Sequence, residues 1–177
     1  MANFRRKTSR RVSSKGHKRS RFELEEFGPG KGAITMCQMC NAVYYQKSWH
    51  HNLEDYKELS SKKNISFELC PACAMWKRHV WEGEIRISGA IPTDKKKQMK
   101  NTILSIADEA YKRDPMHRIF DIKEKGKEII VYSSENQLAN RIAHKLADSF
   151  KTHFSKPVFH HGKRSGDLFL LTMEWIS

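Results

Sequence analysis

Two pairs of cysteines constrain what this chain can fold into more than any other feature of its sequence. Cys37 and Cys40 form one Cys-x-x-Cys pair, Cys70 and Cys73 form the second, and 29 residues lie between the pairs. Two residues between ligands allow both sulfurs to point inward from one tight turn, and four thiolates complete a closed tetrahedron around Zn²⁺. The spacing therefore predicts a structural zinc site with all four cysteines as ligands.

Other interpretations of the cysteines stay open at this point: an iron–sulfur cluster, a redox pair, or thiols with no joint role. A redox pair needs a Cys-x-x-Cys at the start of a helix that follows a strand of a thioredoxin-like unit. No such unit is evident in the sequence before Cys37 or Cys70. Disulfides need an oxidising compartment, and nothing in the sequence indicates one.

Positive charge is concentrated at the N-terminus. Nine of the 33 Lys and Arg residues, and no acidic residue, lie within residues 1–21, while the formal net charge of the whole chain is +13. Such a segment cannot bury enough apolar surface to offset the entropy of ordering, so we expect it to be disordered. It should attract a polyanion, and the candidates are nucleic acid and an anionic membrane surface. The predicted contacts in this tail are Arg5, Arg6, Lys7, Arg10, Arg11, Lys15, Lys18, Arg19 and Arg21.

The sequence divides into three regions. We predict a basic disordered tail and linker over residues 1–33, a zinc-binding module with four cysteine ligands over 34–92, and an α+β domain over 93–177. The fold class is therefore α+β: a four-cysteine zinc-knuckle module followed by a small α-ββ-α-ββ domain with an antiparallel sheet.

Local signals predict the elements of the last region. Thr93 or Asp94 can cap a first helix, and Ser134 with Gln137 forms a capping-box pattern before a second. Alternating segments on either side of Gly126, and again near the C-terminus, predict two hairpins. The apolar face predicted for the first helix is Met99, Ile103, Ile106 and Ala110. The stripe predicted for the second is Leu138, Ala139, Ile142, Ala143, Leu146, Ala147 and Phe150.

A second group of basic residues follows the second cysteine pair. Lys77, Arg78 and His79 lie between Trp76 and Trp81. Basic side chains can contact phosphates while a tryptophan stacks on an unpaired base. Alternatively, both tryptophans pack the zinc module and the charges are simply solvated. Arg86, a few residues further on, completes the predicted nucleic-acid contacts.

Several function classes lack support in the sequence. It contains no H-E-x-x-H, nucleophile-elbow or Walker motif, and we expect no enzymatic activity. It also contains no run of about 18 apolar residues, so no membrane-spanning helix is predicted. We expect a cytoplasmic protein, where thiols stay reduced.

The order of these motifs resembles a known family. The knuckles MCQMC and LCPAC, followed by EIRISG, are similar to the N-terminal zinc domain of the Nmd-type large-ribosomal-subunit export adaptor of archaea and eukaryotes. The downstream DPMHRIFD segment and its following helix resemble small uncharacterised bacterial zinc-binding proteins grouped with that adaptor. The likeness covers about residues 34–176. It implies a zinc-dependent ribosome or RNA binder with the four cysteines as ligands, although the adaptor's additional cysteine pairs are absent.

These observations together predict a zinc-stabilised, non-enzymatic RNA-binding protein. We expect it to associate with ribosomal RNA and the ribosome as an assembly, quality-control or inactivity factor, not with membranes, and to be a monomer. A DNA-binding transcriptional regulator is the first alternative, because the tail and knuckles would look the same. An RNA-processing enzyme is the second.

Overall fold

The computed structural model describes residues 34–45, 47–51, 65–160 and 169–176. The predicted tail, with its nine candidate contacts, lies outside these residues. The described residues form nine strands and three helices, and their mixed content and clustered cysteines confirm the predicted α+β class. In chain order the elements are β1 (Ile34–Cys37), β2 (Val43–Tyr45), β3 (Ser48–His50), β4 (Ile65–Glu68), α1 (Pro71–Arg78), β5 (Gly83–Ser88), α2 (Thr93–Arg113), β6 (Ile119–Lys125), β7 (Glu128–Ser133), α3 (Asn136–Ser149), β8 (Val158–His160) and β9 (Phe169–Glu174).

The first sheet has the strand order β3-β2-β1-β4. Strand β4 pairs with β1 in parallel, and the other pairs are antiparallel. Among the described residues its apolar core is small, with Ile34 and Val43 fully buried, whereas Phe67 on the edge strand β4 is 58% exposed. Burial of each large side chain stabilises a fold by about 1.5–3 kcal/mol. A core of this size supplies little of the free energy that orders the first sheet.

The second sheet has the strand order β6-β7-β5-β9-β8. Both predicted hairpins are present, as β6–β7 with Gly126 at a φ of 59° in the turn, and as β8–β9. Strand β5 lies between them, antiparallel to β7 and parallel to β9. This strand lies within residues 34–92, the range predicted for the zinc module. It joins the second sheet because its alternate residues Ile85 and Ile87 are fully buried in the core of that sheet.

Helices α2 and α3 cover one face of the second sheet. The face predicted for α2 is buried as expected, and the predicted stripe of α3 is buried except for Ala147, which is partly buried. Met173 and Trp175 complete this core from the C-terminal strand and the residue after it. Because this core is much larger than that of the first sheet, we expect it to fold without help from a metal.

Both predicted helix caps are wrong. Helix α2 begins after Pro92, and α3 begins after Glu135, with no side-chain cap at either start. The Ser134 hydroxyl instead donates to the Met116 carbonyl at 2.7 Å and accepts from the Arg118 amide at 2.8 Å. These long-range bonds compete with local capping. They join the segment that precedes β6 to the end of β7, and so hold Arg118 in place.

Candidate metal centre

The first cysteine pair lies at the end of β1 and in the turn after it. The Cys37 amide donates to the Ala42 carbonyl at 2.7 Å, and the Asn41 amide donates to the Cys37 carbonyl at 3.0 Å. Asn41 adopts a left-handed conformation with φ of 60°, which asparagine tolerates better than most residues. The tight turn brings Cys40 back beside Cys37, as the knuckle pattern predicts.

The second pair opens helix α1. Cys70 is the N-cap residue, Pro71 occupies the first helical position, and the Cys73 amide donates to the Cys70 sulfur at 3.4 Å. Proline suits this position because its fixed φ matches the helix and its missing N–H needs no partner there. The pair thus does begin a helix after a strand, which the redox interpretation requires. The redox interpretation does not, however, predict that the two sulfurs of the first pair lie close to this one.

All four sulfurs converge. They lie within 4.8 Å of one another, and the Cys40 and Cys70 sulfurs are 3.7 Å apart. A disulfide bond requires about 2.05 Å, and all four cysteines are free. Zn–S bonds of about 2.3 Å in a tetrahedron place the sulfurs about 3.8 Å apart. The arrangement therefore fits a single four-coordinate ion, and the parallel register that pairs Cys37 with Glu68 explains how β1 and β4 bring the two knuckles together.

Hydrogen bonds and burial give the metal-free thiols different acidities. Burial raises the pKa of Cys70 far above its ordinary value and raises the pKa of Cys73 to about 11. Burial also acts to raise the pKa of Cys37, but backbone N–H groups of Cys70, Cys40 and Met39 outweigh it and lower that pKa to about 6. Since metal ligands are thiolates, an ion that binds here must displace protons from Cys70 and Cys73.

Arg118 completes the centre from the other part of the chain. Its guanidinium donates to the Cys40 sulfur at 3.1 Å and to the Cys73 sulfur at 3.4 Å. It is held by a 2.6 Å bond from its Nε to the Pro115 carbonyl and lies 5.3 Å from the centre of the Tyr111 ring. Burial acts to lower the pKa of Arg118, but the bond to Cys40 and the nearby sulfur charges outweigh it and raise that pKa. A divalent ion held by four thiolates would carry two excess negative charges, and the guanidinium would balance one of them.

No pattern in the sequence predicts the role of Arg118. It lies 78 residues from Cys40 and 45 from Cys73, so no local spacing links them. Met116 and Phe120 on either side of it also pack against the buried cysteines. The centre thus lies where the first sheet and α1 meet the segment leading into β6.

The predicted contacts that lie within the described residues fall on two elements, the end of α1 and strand β5. Lys77, Arg78 and His79 are exposed at the end of α1, where His79 takes a left-handed conformation and ends the helix. Arg86 lies on β5, on the face of the second sheet opposite its helices, and its Nε donates to the buried Glu84 at 2.6 Å. The charge of Arg86 is therefore already balanced, whereas Lys77 and Arg78 have no acidic partner among the described residues.

No protein-family model, curated protein or solved structure matches this chain. The fold and the site nevertheless define a class: an α+β protein with a closed four-cysteine centre that can bind a metal ion. Of the helices within the described residues, none combines the length and the apolar character needed to cross a membrane.

Proposed function

We propose that this chain is a zinc-stabilised RNA-binding protein that associates with the ribosome and has no catalytic role of its own. The observation that carries the proposal is an acid-free segment with nine basic residues, attached to a module built around a closed four-sulfur centre. The resemblance of the knuckles to Nmd-type proteins, and of DPMHRIFD to the small bacterial zinc-binding proteins grouped with them, supports the same assignment.

Zinc is the metal that this donor set suits best. Tetrahedral sites with four sulfurs hold zinc or iron. Sulfurs within 4.8 Å of one another surround one ion, whereas a four-iron cluster binds one sulfur at each of four metals and would hold them farther apart. The four cysteines leave no open coordination position, which is typical of structural rather than catalytic zinc. Reduced thiols also suit the cytoplasm, where we propose that the protein acts.

The tail supplies the main electrostatic attraction to RNA. Each phosphate neutralised by Lys or Arg releases counterions, which makes binding fall steeply with salt. If about six of the tail cations meet phosphates, the affinity should fall about 10³-fold or more between 50 and 200 mM salt. A ribosome offers a dense array of phosphates on which such a segment can order as it binds.

Two measurements test the proposal. Metal-loaded full-length protein should co-migrate with ribosomal subunits on sucrose gradients and dissociate as salt is raised. In a competition assay at matched salt, ribosomal RNA should displace a labelled RNA at lower concentration than duplex DNA of equal phosphate content. Salt-insensitive binding would contradict the electrostatic argument, and a preference for duplex DNA would favour the transcriptional regulator instead.

A further inference from the structure

We propose that an unpaired RNA base binds by stacking in an aromatic cleft between the end of α1 and the face of the second sheet opposite its helices. This inference rests on the proposed RNA-binding function and assigns it a site. The cleft has a volume of about 400 Å³, and its lining residues include Trp76, Trp81, Phe120, Asp121, Lys123 and Tyr132. A smaller cavity of about 280 Å³ beside the metal centre shares Trp76 and Phe120 with it.

One wall of the cleft is fixed. The Trp81 indole N–H donates to the buried Glu84 at 3.1 Å, and the centre of its ring lies 4.2 Å from that of Tyr132. Glu84 also accepts from Arg86, so both carboxylate oxygens are occupied. Trp81 is therefore a rigid part of the second sheet's surface. This corrects the alternative in which it packs the zinc module.

The other wall is an exposed aromatic ring. Trp76 is 51% exposed on the last turn of α1, and the side chains from Trp76 to Val80 all face solvent. A tryptophan of this size gains from covering its apolar faces, so its exposure next to a cleft indicates a binding partner. Bases stack on aromatic side chains with little regard to sequence, because every base has a π face.

Charge selects a nucleotide as the occupant. Lys77 and Arg78 directly follow Trp76, and within the described part of the chain neither has an acidic partner. Lys123 lies 5.2 Å from the centre of the Tyr132 ring and is paired with Asp121 at 3.6 Å, so the charged pair that lines the cleft is neutral overall and the net positive charge comes from Lys77 and Arg78. An exposed stacking ring beside two uncompensated cations matches a base and its phosphates. An apolar peptide would satisfy the ring and leave both cations unpaired.

The test compares two RNAs of equal length, a hairpin with an unpaired loop and a fully paired duplex. Fluorescence anisotropy with metal-loaded full-length protein measures the affinity for each. Trp76→Ala and Trp76→Leu should lower the affinity for the hairpin roughly 5- to 150-fold, the range found for the loss of one stacked base. Trp76→Phe, which keeps a π face, should retain most of it. Affinity for the duplex, which reports the tail, should not change.

The matched control is Phe67→Ala, which removes an equally exposed aromatic ring from β4, outside the cleft, and should not alter binding to either RNA. If wild-type protein binds RNA and all three Trp76 variants bind the hairpin with the wild-type affinity, the cleft assignment is wrong and the proposed function stands. Equal losses in the leucine and phenylalanine variants would also overturn stacking. If the wild type binds neither RNA, the proposed function itself fails.

Discussion

Replacing Arg118 with methionine should weaken metal binding about 10- to 100-fold, the usual cost of losing a group that hydrogen-bonds to a metal ligand. The substitution keeps the length of the side chain but removes its charge and both N–H···S bonds, to Cys40 and Cys73. The range corresponds to about 1.4–2.8 kcal/mol.

The structure supports a loss within that range. Hydrogen bonds to charged groups contribute about 1.5–3 kcal/mol each. The loss of metal-binding free energy on removing both bonds therefore cannot exceed about twice that amount. Arg118 is only half-buried, and water can replace part of what the guanidinium supplies. Arg118→Lys should lie between the wild type and the methionine variant, because a single ammonium cannot span two sulfurs as the planar guanidinium does.

Competition with a chromophoric chelator gives the zinc affinity of each variant, and cobalt substitution reports whether the tetrahedral sulfur site is intact. Arg113→Met is the matched control: it removes an exposed arginine from the end of α2, where the nearest carboxylate, that of Glu109, is 3.9 Å away. It should leave the affinity unchanged. If Arg118→Met binds zinc within about threefold of the wild type, the guanidinium does not stabilise the charged centre.

Three further predictions concern the metal and the two cores. Removal of the metal should abolish hydrogen-exchange protection in Ile34–Cys37 of the first sheet but not in Gly83–Ser88 of the second. If both strands lose protection, or if both keep it, the two sheets do not differ in their dependence on the metal. Because the raised pKa values keep Cys70 and Cys73 protonated at neutral pH, binding should release at least two protons at pH 7, measurable by calorimetry in buffers of different ionisation enthalpy. The affinity should then fall at least about 100-fold for each unit by which the pH is lowered near neutrality. Ile142→Ala should destabilise the second core by about 2–5 kcal/mol in urea unfolding without changing the zinc affinity.

Features encoded by neighbouring residues could be predicted from the sequence. Both knuckles depend on two-residue spacings and local turns, and the apolar faces of α2 and α3 depend on helical periodicity. The turn at Gly126 depends on one residue that tolerates a positive φ. In each case the physical cause lies within a few positions of the residue concerned.

Features that depend on tertiary contacts could not be predicted. Strand β5 follows the second knuckle directly in the sequence, and only its pairing with β7 and β9 places it in the second sheet. Ser134 has the local pattern of a helix cap, but its hydroxyl forms bonds to Met116 and Arg118 instead. Arg118 reaches the cysteines across tens of residues. The wrong cap and the unpredicted arginine have the same cause. The Ser134 hydroxyl bonds to the segment that carries Arg118 instead of capping the helix, and so holds that arginine in place.

The metal centre and the proposed base-binding cleft depend on the same contacts. Trp76 lies three residues after the ligand Cys73 on α1, and Phe120 lies two residues after Arg118 at the start of β6. The four sulfurs fix where α1 begins, and the bonds from Arg118 fix where β6 begins relative to it. The separation of the cleft walls is therefore set by the centre, so the proposed stacking on an unpaired base should require the metal. The proposed attraction of the basic tail to phosphates should require only its charge. We therefore expect the two proposed contributions to RNA binding to respond separately, one to metal removal and the other to salt.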